Sequence, residues 1–349
     1  MLSPLRLIGL LALALASGSA MQAQPLARQW HPQQSGVTVR LRGVNAVSST
    51  VAWASGGSGT VLRTVDGGEH WTTLRVPGAE KLDFRDVDAM SERVAYVLSI
   101  GNGELSRIYK TIDAGASWQL QFSNTDPSVF LDAMTFRDAS NGVAFSDSVD
   151  GQLVVLTTSN GGRTWSRVAA DRLPAAVTGE GAYAASGTNV AMHGRDLVWI
   201  GTTAGRVLRS ADDGRTWHVS ATRVATGAAA GIFSIAFRDA RRGVVVGGDY
   251  QKETLALDNL ATTSDGGVTW TLVEDRGLSG FRSVVAWVPG AKSSLIAIGP
   301  AGADWSDDDG RSWQPIECAG FDTFSFAPGG GVGWAAGSGG RLAKLTLDR

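Results

Sequence analysis

The sequence has few of the residues that build disulfides, metal centres and nucleic-acid interfaces. Cys318 is the one cysteine among 349 residues, which excludes an intrachain disulfide and a cysteine-based zinc site. The four histidines lie far apart with no ligand spacing, so we expect no metal site. Lys and Arg (31) nearly balance Asp and Glu (33), and the formal net charge of -2 predicts no basic surface for nucleic acid.

Proline and long apolar segments are also scarce. Ten prolines beside 45 glycines exclude a collagen-like or Pro/Gly-rich disordered chain. The apolar run at residues 7–16 is shorter than the ~18 residues of a membrane span, and no later run reaches that length. It follows Arg6 and precedes small residues, so residues 1–23 are predicted to be a signal peptide cleaved after Ala20 or Ala23. We therefore expect a secreted protein of a bacterial periplasm, without a membrane span.

The chain instead contains an internal repeat. The pattern Thr/Ser-x-Asp-x-Gly-x-x-Trp occurs six times, with Asn for Asp in the third copy and tryptophans 47, 47, 52, 53 and 43 residues apart. The Asp can accept backbone N–H bonds of its own turn, and the Gly supplies a positive φ. Each copy therefore predicts a hairpin turn with a Trp buried at the start of the next strand. The predicted structural residues are Asp66, Asp113, Asn160, Asp212, Asp265 and Asp308, with Trp71, Trp118, Trp165, Trp217, Trp270 and Trp313.

The segments between these turns predict four antiparallel strands per repeat. Four strands in ~45 residues is the size of a propeller blade. A seventh unit at residues 322–347 lacks the motif and supplies three strands. The stretch Ala27–Gln33 contains Trp30 and is predicted to be its fourth strand, which closes the ring. We therefore predict one all-β domain at residues 27–349, a seven-bladed β-propeller.

The motif resembles the Asp-box, or BNR repeat, of sialidases, sortilin-type receptors and Ycf48-type photosystem II assembly factors, among the WD40/YVTN/BNR-like repeat proteins. The chain is most similar to the Ycf48 type, on the pattern of residues 61–71, 84–87 and 243–248. Some bacterial relatives that share the pattern of residues 130–134, 186–189 and 247–250 are labelled oxidoreductases or glycosyl hydrolases. The resemblance implies a role in maturing or stabilising another protein, and it implies no activity for the Asp-box itself.

Blade topology predicts which face binds. We name the four strands of a blade A to D from the channel outward. The B–C and D–A loops then lie on one face, here called the top face, and every Asp-box turn lies on the other. The longest connections all fall on the top face, at residues 99–106, 123–129, 170–185 and 248–260. Long loops gathered at one end of a rigid scaffold are typical of a binding surface.

Charged residues near the starts of the A strands are expected around the channel mouth on this face. One interpretation is that they pair with one another in a polar channel. The other is that arginines hold an anionic or polar ligand, because guanidinium groups suit carboxylates. The candidate ligand-binding residues are Arg42, Arg85, Asp86, Asp132, Asp147, Asp249, Tyr250 and Arg282.

Two classes of function remain open. The preferred one is a non-catalytic binding or assembly module, monomeric and without a cofactor, that holds an exported protein, a glycan or another polar ligand. The alternative is a glycoside hydrolase, sialidase-like or polysaccharide-active, with candidate catalytic residues Asp86, Asp132, Glu180 and Tyr250. Sialidases have six blades and an Arg-Ile-Pro segment that this sequence lacks. A redox enzyme is disfavoured, because the glycine-rich segments 56–59 and 337–340 lead into no helix.

Overall fold

The computed structural model describes residues 27–348, and the predicted signal peptide at residues 1–23 lies outside this range. Among the described residues, no helix is long and apolar enough to cross a membrane. Residues 27–348 contain three short 3-10 helices, at Gly103–Leu105, Ala170–Arg172 and Ser338–Gly340. All other regular structure is β-strand, as the repeat predicted.

The described chain begins with strand β1 (Ala27–Gln33) and continues through the first three blades. Blade 1 contains β2 (Leu41–Ala46), β3 (Ala52–Gly56), β4 (Thr60–Thr64) and β5 (Thr72–Arg75). Blade 2 contains β6 (Asp83–Ala89), β7 (Ala95–Ile100), β8 (Arg107–Thr111) and β9 (Gln119–Ser123). Blade 3 contains β10 (Leu131–Phe136), β11 (Gly142–Val149), β12 (Gln152–Thr158) and β13 (Ser166–Arg167).

The remaining blades follow in chain order. Blade 4 contains β14 (Val190–His193), β15 (Leu197–Gly201), β16 (Arg206–Ser210) and β17 (His218–Ala221). Blade 5 contains β18 (Ala230–Phe237), β19 (Gly243–Asp249), β20 (Leu260–Thr263) and β21 (Thr271–Leu272). Blade 6 contains β22 (Val284–Trp287), β23 (Leu295–Gly299), β24 (Gly302–Ser306) and β25 (Gln314–Ile316). Blade 7 contains β26 (Thr323–Phe326), β27 (Val332–Ala336) and β28 (Leu342–Asp348), and β1 completes it.

The first and last strands close the ring. In blade 7 the strand order is β1-β28-β27-β26, and β1 pairs antiparallel with β28 along its whole length. Trp30 stacks on Phe321 with ring centroids 5.6 Å apart and packs against the core between blades 6 and 7. The predicted seven-bladed propeller and its mode of closure are therefore confirmed. Because β1 pairs with β28, the sheet of blade 7 joins the beginning and the end of the described chain, and this closes the ring.

The apolar core is divided among the interfaces between neighbouring blades. Six of the seven interfaces contain the motif Trp of one blade, packed against the strands of the preceding blade, and the interface between blades 6 and 7 contains Trp30 instead. Trp118 of blade 2, for example, meets Trp53 of blade 1 edge-on at 6.4 Å, and Trp53 is fully buried. Burial of such large rings makes each turn motif a part of the blade-to-blade contact.

The repeated turns are held by the same hydrogen bonds in all six copies. The motif Gly has φ between 78° and 89°, and its N–H donates to the Thr or Ser hydroxyl at 2.9–3.0 Å. The Asp or Asn Oδ1 accepts the N–H of the seventh motif residue at 2.9–3.0 Å. Hydrogen bonds from Ser117 lower the pKa of Asp113 to about 2. These side chains are thus committed to the turns.

Candidate functional site

A β-bulge near the start of the A strand directs one side chain into the channel in each of four blades. In blades 1, 2, 3 and 5 the pairing of strands A and B skips one residue: Arg42, Arg85, Asp132 and Phe233. A bulged residue leaves the ladder and changes the direction of its side chain. In blades 6 and 7, Ser283 and Asp322 precede the strand and line the same space.

These residues line a cavity of about 910 Å³ on the top face. Its remaining walls come from D–A loops at residues 177–185 and 226–228 and from B–C loops that include Thr203, Tyr250 and Pro300. The cavity therefore lies among the long loops that the sequence predicted for the binding face.

A segment of blade 4 crosses the channel beneath this cavity. Strand β14 begins only at Val190, and the preceding residues 182–188, here called the strap, pass between the other blades. A smaller cavity of about 380 Å³ lies on the opposite side, lined by Gly187 and Thr188 of the strap. The strap thus divides the channel and forms the bottom of the top-face cavity.

Hydrogen bonds from several blades fix the strap. The Arg85 guanidinium of blade 2 donates to the Ala184 carbonyl at 2.8 Å. The Ser186 hydroxyl donates to the Ser283 carbonyl of blade 6 at 2.7 Å, and the Thr323 hydroxyl of blade 7 donates to the Ser186 carbonyl at 3.2 Å. Contacts from this many blades give the strap one defined path through the channel.

The strap is a feature that the sequence pattern does not predict, since residues 170–185 were expected to be a top-face loop. Two signals point to it. The spacing between Trp165 and Trp217 is 52 residues, longer than the 47 of the two preceding repeats. Blade 4, like blade 5, also lacks a charged residue near the start of its A strand. Neither signal identifies the path of the segment, because that path depends on contacts with distant blades.

The cationic side of the cavity is formed by Arg42 and Arg85. Arg42 donates weakly to the Ala185 carbonyl at 3.4 Å, and its buried Nε has no hydrogen-bond partner among the described residues. Burial, followed by repulsion from Arg85, lowers the pKa of Arg42 to about 10, so it stays protonated at neutral pH. Arg85 also pairs with Asp83 at 2.7 Å. Arg42 is the arginine of this wall without a carboxylate partner in the described chain.

The anionic side is formed by two carboxyl groups of blade 3. Asp132 is 1% exposed, and its Oδ2 has no hydrogen-bond partner among the described residues. Burial, followed by the charge of Asp147, raises the pKa of Asp132 well above its ordinary value. Burial raises the pKa of Asp147 to about 6. The Ala182 N–H of the strap opposes both shifts. Two carboxyl groups thus share one corner of the cavity.

Asp322 and Glu180, two other carboxylates of the wall, pair with arginines. Asp322 accepts two hydrogen bonds from Arg40, at 2.6 and 2.9 Å. Glu180 is 1% exposed and accepts from Arg206 with both oxygens, from the Thr202 hydroxyl, and from the Val177 N–H. Glu180, a candidate catalytic residue, is thereby engaged in fixing the loop that carries it.

Three of the candidate residues lie outside the cavity wall. Asp86 is buried below the strap, where it accepts the Met134 N–H at 2.8 Å and joins blade 2 to blade 3. Arg282 is 2% exposed and pairs with the fully buried Asp304 at 2.7 Å. Asp249 accepts a backbone hydrogen bond within its own turn. The expected position of Asp86 and Arg282 at the channel mouth is therefore corrected.

The physical reason is the direction of side chains in a strand. Successive side chains alternate between faces, so an alignment error of one residue reverses the direction. In blade 6 the residue that faces the cavity is Ser283, and Arg282 occupies the buried position of Leu41 in blade 1. In blade 2, Arg85 is the bulged residue, so Asp86 points away.

Aromatic rings form the wall opposite the charged groups. Tyr183 of the strap stacks on Phe233 with centroids 3.9 Å apart, and Phe281 meets Phe233 edge-on at 4.6 Å. Tyr250, the fourth candidate catalytic residue, is 43% exposed and lies edge-on to both Tyr183 and Phe233 at 6.1 Å. Its position at the mouth suits contact with an incoming ligand.

A separate group of metal-ligand type lies on the opposite face. Ligand atoms of Asp66, Glu69 and His70 come within 4.8 Å of one another, and all three residues are exposed. The Asp66 carboxylate there already accepts hydrogen bonds from the turn, including one from the His70 N–H at 3.0 Å. We therefore assign this group of three residues to the turn motif of blade 1.

The comparisons with known proteins bear on the fold. No family model matches the sequence, and no curated protein matches it. A solved structure described as YCF48 bound to D1 peptide is similar, with 16% identity, a TM-score of 0.64, and coverage of 95% of this chain and 99% of that one. YCF48 from Cyanidioschyzon merolae has the same identity and score, with coverage of 91% and 98%.

A glycoside hydrolase is also similar in structure. The GH74 enzyme of Niastella koreensis has 13% identity and a TM-score of 0.62, and the match covers 90% of this chain but 53% of the enzyme. At such identities the likeness shows the fold alone. The chain is therefore a seven-bladed propeller whose fold is similar both to that of YCF48 and to that of a GH74 enzyme.

Proposed function

We propose that this protein is an exported, non-catalytic binding propeller that holds a polypeptide segment of a partner on its top face. The observation that carries the proposal is the top-face cavity, with its fixed bottom and with Arg42 available to a carboxylate. Arginine binds carboxylates through parallel N–H donors. The arrangement supports binding of an acidic group or a chain end.

The surface around the cavity favours a polypeptide over a sugar. Several large apolar side chains of the top-face loops are 41–55% exposed: Leu105, Val177, Tyr250, Leu255 and Leu257. Exposed apolar residues that gather around a polar cavity are typical of protein-binding surfaces. The solved complex of YCF48 with a peptide supports the same class of ligand for this fold.

The test is selection of ligands from a display library of random dodecapeptides with free carboxyl termini, followed by calorimetry of the enriched peptides. We expect them to bind the wild type and to lose about tenfold or more in affinity with Arg42→Gln, because a charge-assisted hydrogen bond is lost. Ile112→Ser is the control, since Ile112 is 64% exposed on the opposite face. Failure to enrich any peptide, or equal binding by both variants, would contradict the proposal.

The carboxyl pair supports glycoside hydrolysis as the second candidate. Asp132 and Asp147 both line the cavity, and their raised pKa values suit a general acid. The test is release of reducing sugar from aryl glycosides, sialosides and polysaccharides. Release by the wild type but not by an Asp132→Asn, Asp147→Asn double variant would favour the hydrolase. Absence of release on every substrate would favour the binding propeller.

A further inference from the structure

Asp132 and Asp147 differ from the other three carboxylates of the cavity in having no cation near them; one of these three, Glu253, has a charge interaction with Arg40. Asp322 has Arg40 and Glu180 has Arg206, whereas neither Asp132 nor Asp147 has an ion-pair partner among the described residues. Asp132 is almost fully buried, yet its Oδ2 accepts no hydrogen bond in the described structure. A buried carboxyl oxygen without a donor is costly, and it is an exception that calls for a partner.

The strap explains why the cavity's own arginines do not supply that partner. Its backbone meets the two sides at different points: the Ala182 N–H faces Asp132 and Asp147, and the Ala184 and Ala185 carbonyls face Arg85 and Arg42. Opposite charges are thus held apart along the strap. Three residue steps of extended chain span at most ~10–11 Å, which bounds the separation of these attachment points.

We infer that Asp132 and Asp147 form a subsite for a primary ammonium group, and that the cavity takes a zwitterionic peptide whose carboxylate meets Arg42. This inference rests on the proposed function, because it specifies the ligand of the same cavity. An extended tripeptide with free termini has a length of ~10 Å, which matches the upper bound set by the three residue steps of the strap. One ammonium offers three donors, enough for the free Asp132 oxygen and for Asp147.

An ammonium group fits this corner better than a divalent cation. Calcium takes six to eight oxygen ligands, whereas this corner presents two carboxyl groups. Among the described residues, the group of three or more potential metal ligands lies elsewhere, at Asp66, Glu69 and His70. Two neighbouring carboxyl groups that repel each other suit one monovalent cation, because their mutual repulsion is relieved when it binds.

The test uses the purified protein and an equimolar pool of Ala-X-Ala tripeptides in three forms: free termini, acetylated amine and amidated carboxyl. Saturation-transfer NMR identifies the best binder, and calorimetry measures its affinity. We expect acetylation to weaken binding to the wild type by about 10- to 100-fold, the value of a charge-assisted hydrogen bond. In an Asp132→Asn, Asp147→Asn double variant, we expect the free peptide to bind as weakly as the acetylated one.

Asp150→Asn is the matched control. It lies in the same hairpin as Asp147, is exposed, and has a positive φ of 51° that Asn accepts. We expect it to retain the affinity of the wild type, and thermal melts check that each variant is folded.

Four outcomes would overturn the subsite. These are no binding of the free pool, no effect of acetylation, an acetylation penalty that persists in the double variant, or binding of calcium alone that the double variant loses. If the dodecapeptides bind and any of these results is found, the inference fails while the proposed function stands. If neither probe binds, both fail.

Discussion

Replacing Gly187 with alanine is the sharpest test of the strap. Gly187 has φ of 72°, and a Cβ built there would lie less than 3.0 Å from each atom of the Asp86 carboxylate. Asp86 has little room to move away, because it is buried and its Oδ2 accepts the Met134 N–H. The substitution must therefore displace the strap or break the contact between blades 2 and 3.

The expected magnitude has two parts. A left-handed conformation costs an alanine about 1–2 kcal/mol. Forcing a methyl group into a packed site adds about 1–3 kcal/mol. Gly179→Ala separates the two, because Gly179 has the same φ of 72° and nothing within 4 Å of the added Cβ. We expect Gly187→Ala to lower the free energy of unfolding by about 1–3 kcal/mol more than Gly179→Ala does.

Urea denaturation at pH 7 measures both variants. In an Asp86→Ala background the clash is absent, so Gly187→Ala should cost only the conformational part, and the double-mutant cycle reports the contact itself. The displaced strap should also weaken ligand binding in the top-face cavity. Equal destabilisation by Gly187→Ala and Gly179→Ala, with no coupling to Asp86, would refute the assigned path of the strap.

Three further predictions address the turns, the carboxyl pair and the buried ion pair. Asp265→Ala should lower the free energy of unfolding by about 1–2 kcal/mol in urea, because its turn hydrogen bonds are lost, while Ser264→Ala beside it should change little. The pKa of Asp147 is raised to about 6 in the folded protein, so the folded state favours its protonated form. The resulting stabilisation is complete below pH 4 and is lost as pH rises through 6. Asp147→Asn should therefore flatten this part of a profile of Tm between pH 4 and 7. Arg282→Ala should cost about 3–5 kcal/mol in urea, because it leaves Asp304 charged and buried, and a loss below 1 kcal/mol would contradict a buried pair.

Most of the fold follows from local sequence. The turn motif carries its own hydrogen-bond partners within eight residues, so its recurrence predicts the hairpins, the number of blades and the faces of the loops. The pairing of Ala27–Gln33 with the last strand followed from counting strands, since blade 7 lacked one. The residues of the candidate site could be predicted from the sequence less completely. Arg42, Arg85, Asp132, Asp147, Glu180 and Tyr250 line the cavity, whereas Asp86, Asp249 and Arg282 do not.

The difference arises from bulges and from partners distant in sequence. The cavity-facing position is a bulged residue in four blades and precedes strand A in blades 6 and 7, with no consistent signal in composition, so aligning arginines by identity placed Arg282 where Ser283 lies. The partner of Arg282 is Asp304 on strand β24 of the same blade, and nothing in the spacing identifies that pair. Whether a charged group faces a ligand or another residue depends on such contacts.

The sequence by itself determined the seven-bladed propeller, because its turns and strand alternation are local and repeat with a regular period. The tertiary structure alone decided what the channel contains. The strap takes its path from hydrogen bonds with several blades. It contacts Arg42 through the Ala185 carbonyl and the pair Asp132 and Asp147 through the Ala182 N–H, and so holds opposite charges at different points of one cavity. That separation depends on long-range contacts, so it emerges only when the ring has closed.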